Sequence, residues 1–456
     1  MIKGIIKRIA ILILVFLVAY TAHVVSLKNE PADERSPAAI ARPRRLLATA
    51  FVVVKGDHFE IGGERYSYFG TNLWAAMNLG STGPGGDRAR LVRELDRLKA
   101  LGVLNLRIVA ASEGPGTEPG RIVPALQNTP GVFDPNLLDG LDFALSEMSK
   151  RGMRAVLILN NFWAWSGGMA QYVSWANGSK IPYPSPFGNS SWTTYELYAS
   201  QFYSNTKAIA LANTAIQTIV TRTNSFTGVA YNEDPTIMAW ELGNEPRGML
   251  NKKDFNTWIA TTARYIKSLD PHHLVTTGTE GSLNGAGIDI AQNNSSPDID
   301  YATTHIWVQN FGWYDPQNPS TYSSAVQKMK DYLDSQISGT AQIKKPLVLE
   351  EFGFSRDANS LDPKSPVTLR DQFYQTILAQ AYSKAQNHQS VCGVNFWAWS
   401  GEAVPPGRPN GLWQVGDPWL GDPPHEAQGW YSIYTTDAST LSIIQNFTKQ
   451  FSALTN

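Results

Sequence analysis

Ile237–Glu245 reads IMAWELGNE, an apolar start with no polar alternation that ends on polar and acidic residues. The same kind of run recurs at Tyr66–Trp74 (YSYFGTNLW), Val103–Ala110 (VLNLRIVA), Arg154–Trp163 (RAVLILNNFW), Leu274–Gly281, Ile299–Val308, Pro346–Gly353 and Val391–Ser400. A strand that is apolar on both sides is covered on both faces, as strands of parallel sheets are. Amphipathic stretches separate the runs. Arg88–Leu101 puts Leu91, Leu95 and Leu98 on one helical face, and Leu137–Lys150 forms a second predicted helix. A long helical stretch is predicted over Tyr195–Thr223, and Phe255, Trp258, Ile259, Tyr265, Ile266 and Leu269 recur at helical spacing. Eight such units over roughly 390 residues predict an α/β fold, a (β/α)8 TIM barrel with long βα loops. A doubly wound sheet is the rival, but no GxGxxG turn follows the first strand.

Composition narrows the function. The 456 residues hold 38 Lys+Arg and 39 Asp+Glu, a net charge of -1, with 43% hydrophobic residues. That balance excludes a disordered or collagen-like chain. Eight of the basic and three of the acidic residues lie in residues 1–50, so the remainder is mildly acidic. A nucleic-acid partner needs a basic face, so none is expected. The single cysteine, Cys392, excludes an intrachain disulfide and a Cys-based metal centre.

The first residues read as a targeting segment. Lys3, Lys7 and Arg8 precede an apolar run from Ile9 to Val25, the n-region and h-region of an export signal. Residues 1–27 are therefore expected to be a cleaved signal peptide or a retained membrane anchor. Residues 28–50, with Pro31, Pro37 and Pro43, are expected to be a flexible linker. Residues 51–456 are expected to form the single working domain, outside the cytoplasm as a secreted or periplasmic protein, with membrane attachment through the N-terminus as the other possibility.

In a barrel of this kind the working groups sit at the C-terminal ends of the strands. Those predicted ends carry Asn72 and Trp74, Arg107, Asn160, Asn161 and Trp163, Asn244 and Glu245, His305 and Trp307, Glu350 and Glu351, and Trp397 and Trp399. Carboxylates that end buried strands must be paired, hydrogen-bonded or shifted in pKa. Glu245 ends the fourth predicted strand and Glu351 the seventh. Two carboxyl groups facing each other across a mouth are what glycoside hydrolysis requires, one to protonate the leaving oxygen and one to attack or to activate water.

The surrounding strings carry a resemblance. Thr236–Gly248 (TIMAWELGNEPRG) resembles the acid/base strand of family 5 glycoside hydrolases, and Pro346–Arg356 (PLVLEEFGFSR) the nucleophile strand. Asn160–Ala176 (NNFWAWSGGMAQYVSWA), Tyr301–Trp307 (YATTHIW) and the tail from Asn395 to Tyr434 (NFWAWSGE…GDPPHEAQGWYSIY) are similar to those of the endo-β-1,4-mannanases within that family.

The resemblance implies roles residue by residue. Glu245 is the general acid/base and Glu351 the nucleophile, with Glu350 pointing the opposite way and structural. Asn244 binds the 2-hydroxyl at the cleavage point. Arg107 lowers the Glu351 pKa, whereas Glu245 needs a raised one. His305 holds the place of a family histidine, and Trp307 departs from a common tyrosine. Trp397 is the stacking floor, and Trp74, Asn161, Trp163 and Arg247 complete the substrate-binding set. The implied reaction is retaining cleavage of internal β-1,4 bonds in mannan, glucomannan or galactomannan by a monomer without cofactor or metal. A β-glucanase or transglycosylase on the same fold, or a non-catalytic carbohydrate-binding protein, shares these motifs.

Overall fold

The computed structural model describes residues 50–408 and 411–454. The expected signal or anchor segment and most of the expected linker lie outside the described residues. Eight parallel strands form one sheet: β1 (Tyr68–Asn72), β2 (Asn105–Val109), β3 (Arg154–Ile158), β4 (Ile237–Glu241), β5 (Leu274–Thr276), β6 (Ala302–Ile306), β7 (Leu347–Phe352) and β8 (Val391–Phe396). Their order around the sheet is β5-β4-β3-β2-β1-β8-β7-β6. A parallel bridge between Thr276 and Tyr301 joins its two edges, so the sheet is the expected (β/α)8 barrel. Every residue of all eight strands is buried, which is why the runs show no polar alternation.

Local chemistry sets the helix limits. Asp87 accepts the Arg90 N–H at 2.9 Å to start the helix Arg88–Leu101, and Gly102 ends it at φ 83°. Asp134, with Pro135 behind it, starts Pro135–Arg151, and Gly152 ends that helix at φ 67°. Such caps contribute about 1 kcal/mol each and fix boundaries that periodicity alone leaves loose. The long helix expected over Tyr195–Thr223 is instead three pieces, Trp192–Ala199, a 3-10 turn Ser200–Ser204, and Thr206–Val220. Asn205 breaks it: its side chain accepts the Ala208 N–H at 3.0 Å, capping a new helix.

The N-terminal end of the barrel is closed by a three-stranded antiparallel sheet, Val52–Lys55, His58–Ile61 and Glu64–Tyr66, that the apolar runs did not announce. Phe59, fully buried, sets its ring edge-on to Tyr301 at 5.3 Å and stacks near Tyr68. With Val156, Met238, Leu274, Val348 and Cys392 they fill that end. The C-terminal end stays open for the loops.

Several predicted strands shorten at that end. β4 stops at Glu241, so Glu245 lies four residues beyond it with φ 50°. Backbone bonds hold it there: Asn244 N–H to the Asn160 carbonyl (3.0 Å) on one side, and Glu245 N–H to the Gly278 carbonyl (2.9 Å) on the other. Gly278 itself has φ +74°, and a Cβ on it would come within 2.1 Å of the Gly243 carbonyl oxygen and 2.3 Å of a Glu241 carboxylate oxygen. Gly278→Ala is expected to cost about 1–3 kcal/mol through left-handed strain and this clash. Thermal melting checks it, and an unchanged Tm contradicts the tight approach.

Candidate active site

At the centre of the barrel mouth lies the guanidinium of Arg107, fully buried on β2. It forms two bonds to Glu241 (Nη2 to Oε1 2.6 Å, Nε to Oε2 2.8 Å), one to Asn244 Oδ1 (2.8 Å), one to Asn72 Oδ1 (3.1 Å) and one from Nη1 to Glu351 Oε1. A desolvated cation is tolerable only with this degree of pairing. The expected Arg107–Glu351 contact is present. Arg107 is absent from the cavity wall, so its place is behind the nucleophile candidate rather than against a ligand.

His305 at the end of β6 is the second cation of the cluster. Its Nδ1 lies 2.7 Å from Glu245 Oε1 and 3.4 Å from Glu351 Oε2, and its Nε2 lies 3.4 Å from Glu350 Oε2. Burial works to lower its pKa. The Glu351 charge, the hydrogen bonds to Glu245 and Glu350 and the Glu245 charge outweigh that and raise it to about 10. One carboxylate oxygen of Glu245, one of Glu351 and a ring nitrogen of His305 all lie within 4.8 Å of one another. Glu245 Oε2 also accepts the Trp163 indole N–H at 2.5 Å.

Glu350 does not point away from the cluster. On β6, Thr304 pairs with Leu349 and His305 with Glu351, so Glu350 is the extra residue of a bulge. A bulge breaks the two-residue alternation, and Glu350 stays beside Arg107 (3.6 Å) and His305. Four carboxylates therefore share two cations.

That sharing reverses the pKa order expected from the sequence. Burial pushes Glu351 up, and His305 and Arg107 offset this only in part, leaving it at about 7. Arg107 gives two of its bonds to Glu241, so its charge is not Glu351's alone. Burial would raise Glu245 as well, but the bond and charge of His305, with Arg247 and Trp163, bring it to about 2. The direction of both shifts favours the proton on His305 and the charge on Glu245.

A cavity of about 670 Å3 opens over this cluster, within the range of small-ligand sites. Of the sequence-derived residues, Trp163, Asn244, Glu245, Arg247, Trp307, Glu351 and Trp397 line it. Trp307 and Trp397 meet edge to face at 6.0 Å. Arg247 is clamped by Glu280 (2.7 and 2.8 Å) and Glu196 (2.6 Å) and stands 4.8 Å over the Trp163 ring. Four residues of the expected substrate-binding set do not line the cavity: Arg107 and His305 lie beneath the carboxylates, and Trp74 and Asn161 lie behind the wall. Trp74 is 2% exposed, donates to the Gly421 carbonyl at 2.8 Å and meets Trp165 and Trp419 edge-on, so it supports the wall from behind. Asn161 is fully buried and accepts from Asn244 Nδ2 (3.2 Å) and the Trp163 N–H (3.0 Å), which makes it a positioning residue.

Sequence reasoning assigned no role to Glu280, His425 or Glu426 and left Trp430 among the loop tryptophans; all four also line the cavity. Glu280 lies beyond the end of β5, the other three in the loop after β8. A test of the charge sharing is His305→Gln. Loss of the cation raises the Glu351 pKa and moves the acid limb of the kcat/KM–pH profile to higher pH, while Glu245, left without the proton held by His305, loses its own at lower pH than the pair does, so the profile should narrow by about 1 unit at each limb. A profile that stays in place contradicts it. Arg107→Met should cost about 3–5 kcal/mol of stability by leaving Glu241 and Glu351 buried without their cation, seen as a lowered denaturation midpoint.

Residues 49–456 match the family described as GH family 5 beta-mannosidase-like. The chain is 34% identical over 368 residues to mannan endo-1,4-beta-mannosidase 5 of Solanum lycopersicum, covering 76% of this chain and 80% of that one. It is 31% identical over 365 residues to mannan endo-1,4-beta-mannosidase 1 of Oryza sativa subsp. japonica, covering 76% and 78%. Among solved structures it is similar to the glycoside hydrolase family 5 mannosidase of Rhizomucor miehei, with 37% identity, a TM-score of 0.83 and coverage of 90% of this chain and 99% of that one. The barrel, the paired carboxylates in its mouth and these relatives together make the chain a glycoside hydrolase of family 5, in its β-mannosidase-like branch.

Proposed function

We propose that the chain hydrolyses internal β-1,4-mannosidic bonds of mannan, glucomannan or galactomannan with retention of configuration. The observation that carries the reading is the short gap between Glu245 and Glu351, whose oxygens approach within 4.8 Å. Retaining enzymes keep their carboxyl groups about 5–5.5 Å apart, and inverting ones hold them wider to admit a water. The plant relatives named as mannan endo-1,4-beta-mannosidases support the substrate.

The roles follow from the cluster. Glu351, ionised and bonded to Arg107, attacks the anomeric carbon and forms a covalent sugar ester as the glycosidic bond breaks. Glu245 gives its proton to the departing oxygen. That proton is stored across the 2.7 Å bond from His305 Nδ1 to Glu245 Oε1. A sugar that covers Glu245 removes water from it, which favours the neutral carboxyl and draws the proton over. In the second half Glu245 takes a proton from water, the water oxygen bonds to the anomeric carbon, and the ester to Glu351 breaks. Asn244, oriented by Arg107 and Asn161, binds the 2-hydroxyl, and Trp397 and Trp163 offer ring faces to sugars. Export through residues 1–27, with cleavage or anchoring there, and action as a monomer belong to the same proposal.

A second reading is release from chain ends. It is favoured by the loop after β8, whose residues His425, Glu426 and Trp430 stand in the cavity wall. The R. miehei relative is named simply a mannosidase. Galactomannan separates the two: internal cutting lowers viscosity well before reducing ends accumulate, whereas end-wise release raises reducing ends at nearly constant viscosity.

Glu351→Gln and Glu245→Gln should each lower mannan hydrolysis by about 10³-fold or more while the protein stays folded. Proton NMR of the first product should show the β-anomer before mutarotation. Full activity in either variant, or an α-anomer first, contradicts the assignment.

A further inference from the structure

Glu113 is a buried carboxyl that the steps above leave unused. It lies four residues beyond the end of β2 and is 1% exposed. Its carboxylate partners are neutral: Oε2 accepts the Gly168 N–H at 2.9 Å, and Oε1 accepts the Tyr172 hydroxyl at 3.0 Å. Arg121 Nη1 donates to the Glu113 backbone carbonyl at 2.6 Å. Burial raises the Glu113 pKa to about 7, with the Gly168 N–H, the Tyr172 hydroxyl and the Arg121 charge offsetting it in part. A carboxyl kept in a dry place with neutral partners is costly. Here that cost is spent at one spot, the corner Ser166–Gly168.

Glu113 grips that corner twice. Its backbone N–H donates to the Ser166 carbonyl at 2.7 Å, and its carboxylate takes the N–H of Gly168, the first residue of the helix Gly168–Asn177. Gly167, which precedes that helix, has no side chain to cap it, so Glu113 supplies the cap from another barrel unit, where the helix end favours a negative group. The fit is close: a Cβ on Gly167 would come within 2.0 Å of the Glu113 carbonyl oxygen, and one on Gly168 within 2.0 Å of the Asn161 carbonyl oxygen. From the corner, bonds lead back to the reacting groups. Asn161 Nδ2 donates to Ser166 Oγ at 3.0 Å, which turns its Oδ1 toward the Trp163 N–H (3.0 Å). The 3-10 turn Ala164–Ser166 follows Trp163 and is closed by the Gly167 N–H to the Ala164 carbonyl at 2.8 Å. Trp163 is thus held between two fixed points, and its indole N–H meets Glu245 Oε2 at 2.5 Å while Glu245 Oε1 faces His305.

We propose that Glu113 is a positioning residue for the acid/base step: it fixes the corner Ser166–Gly168, so that the Trp163 indole holds the Glu245 carboxyl in line with the leaving oxygen. Glu113 touches no substrate and acts only through Trp163. The proposal rests on the reading of Glu245 as the acid.

The test uses the full chain, isotope-labelled at the tryptophan nitrogens, with the variants Glu113→Ala, the gentler Glu113→Gln, and Trp163→Phe. The NMR signal that Trp163→Phe removes is the Trp163 indole N–H, and in Glu113→Ala it should move upfield as its bond to Glu245 lengthens. Hydrolysis is followed on mannotetraose, whose departing sugar needs a proton, and on dinitrophenyl β-mannobioside, whose leaving group departs without one. Glu113→Ala should lower kcat/KM about tenfold on mannotetraose and less than about twofold on the aryl substrate. Glu113→Gln keeps an acceptor for the Gly168 N–H and should lie between Glu113→Ala and the parent. In the Trp163→Phe background, Glu113→Ala should add less than about twofold, because both changes act through one bond. Equal losses on the two substrates, additive losses, or an unmoved indole signal overturn the proposal. A wild-type chain that hydrolyses neither substrate, with the indole signal still moved by Glu113→Ala, keeps Glu113 as the residue that positions Trp163 and discards the hydrolytic reading.

Discussion

The structure around the barrel mouth depends on one buried cation. Arg107 has no access to water, and its guanidinium spends its donors on Glu241, Glu351, Asn72 and Asn244. Those partners come from β1, β4 and β7 and from the loop after β4, so a single side chain sets the spacing of groups far apart in sequence. Breaking such a pair is far more costly than its net contribution to folding suggests, because the orphaned charge stays buried. The arrangement buys geometry rather than stability.

The same scarcity of positive charge organises the proton inventory. Arg107 and His305 serve Glu241, Glu245, Glu350 and Glu351. With two cations for four carboxylates, burial favours keeping a proton within the group. Burial pushes Glu241 and Glu351 up, to about 8 and about 7, while the proton that makes His305 a cation lies against Glu245, next to where a leaving oxygen would be protonated. A site wired this way needs no large rearrangement to pass from acid to base, since only a proton moves across a bond already made.

Much of this was legible in the sequence, for physical reasons that differ from element to element. The eight strands showed themselves because strands buried on both faces lose polar alternation, and the helix Arg88–Leu101 because Leu91, Leu95 and Leu98 recur on one face. Glu245, Glu351, Asn244, His305 and Arg107 stood out as polar residues ending apolar runs. The orientation of Glu350 was hidden because a bulge leaves no trace in residue type. Trp74 was indistinguishable from a cavity tryptophan, since both follow a strand; only the Gly421 carbonyl and the Trp419 ring, nearly 350 residues later, reveal its supporting place. Pairing of Arg247 with Glu280 and Glu196 was equally beyond reach, because it depends on loops from three different units meeting. The pKa order is hidden for a related reason: one neighbour such as Arg107 does not set it, because the cluster divides its charge among Glu241, Glu245, Glu350 and Glu351.

The central claim is that the carboxylate bound by Arg107 is the group that bonds to the sugar. An activated 2-deoxy-2-fluoro-β-mannoside slows hydrolysis of the covalent ester more than its formation, so the adduct can be caught by mass spectrometry and mapped to a peptide. The account predicts one added sugar per chain, on the peptide containing Glu351, with none in Glu351→Gln. An adduct on Glu350 or Glu245, or hydrolysis of the probe with no adduct and an inverted product, would contradict it.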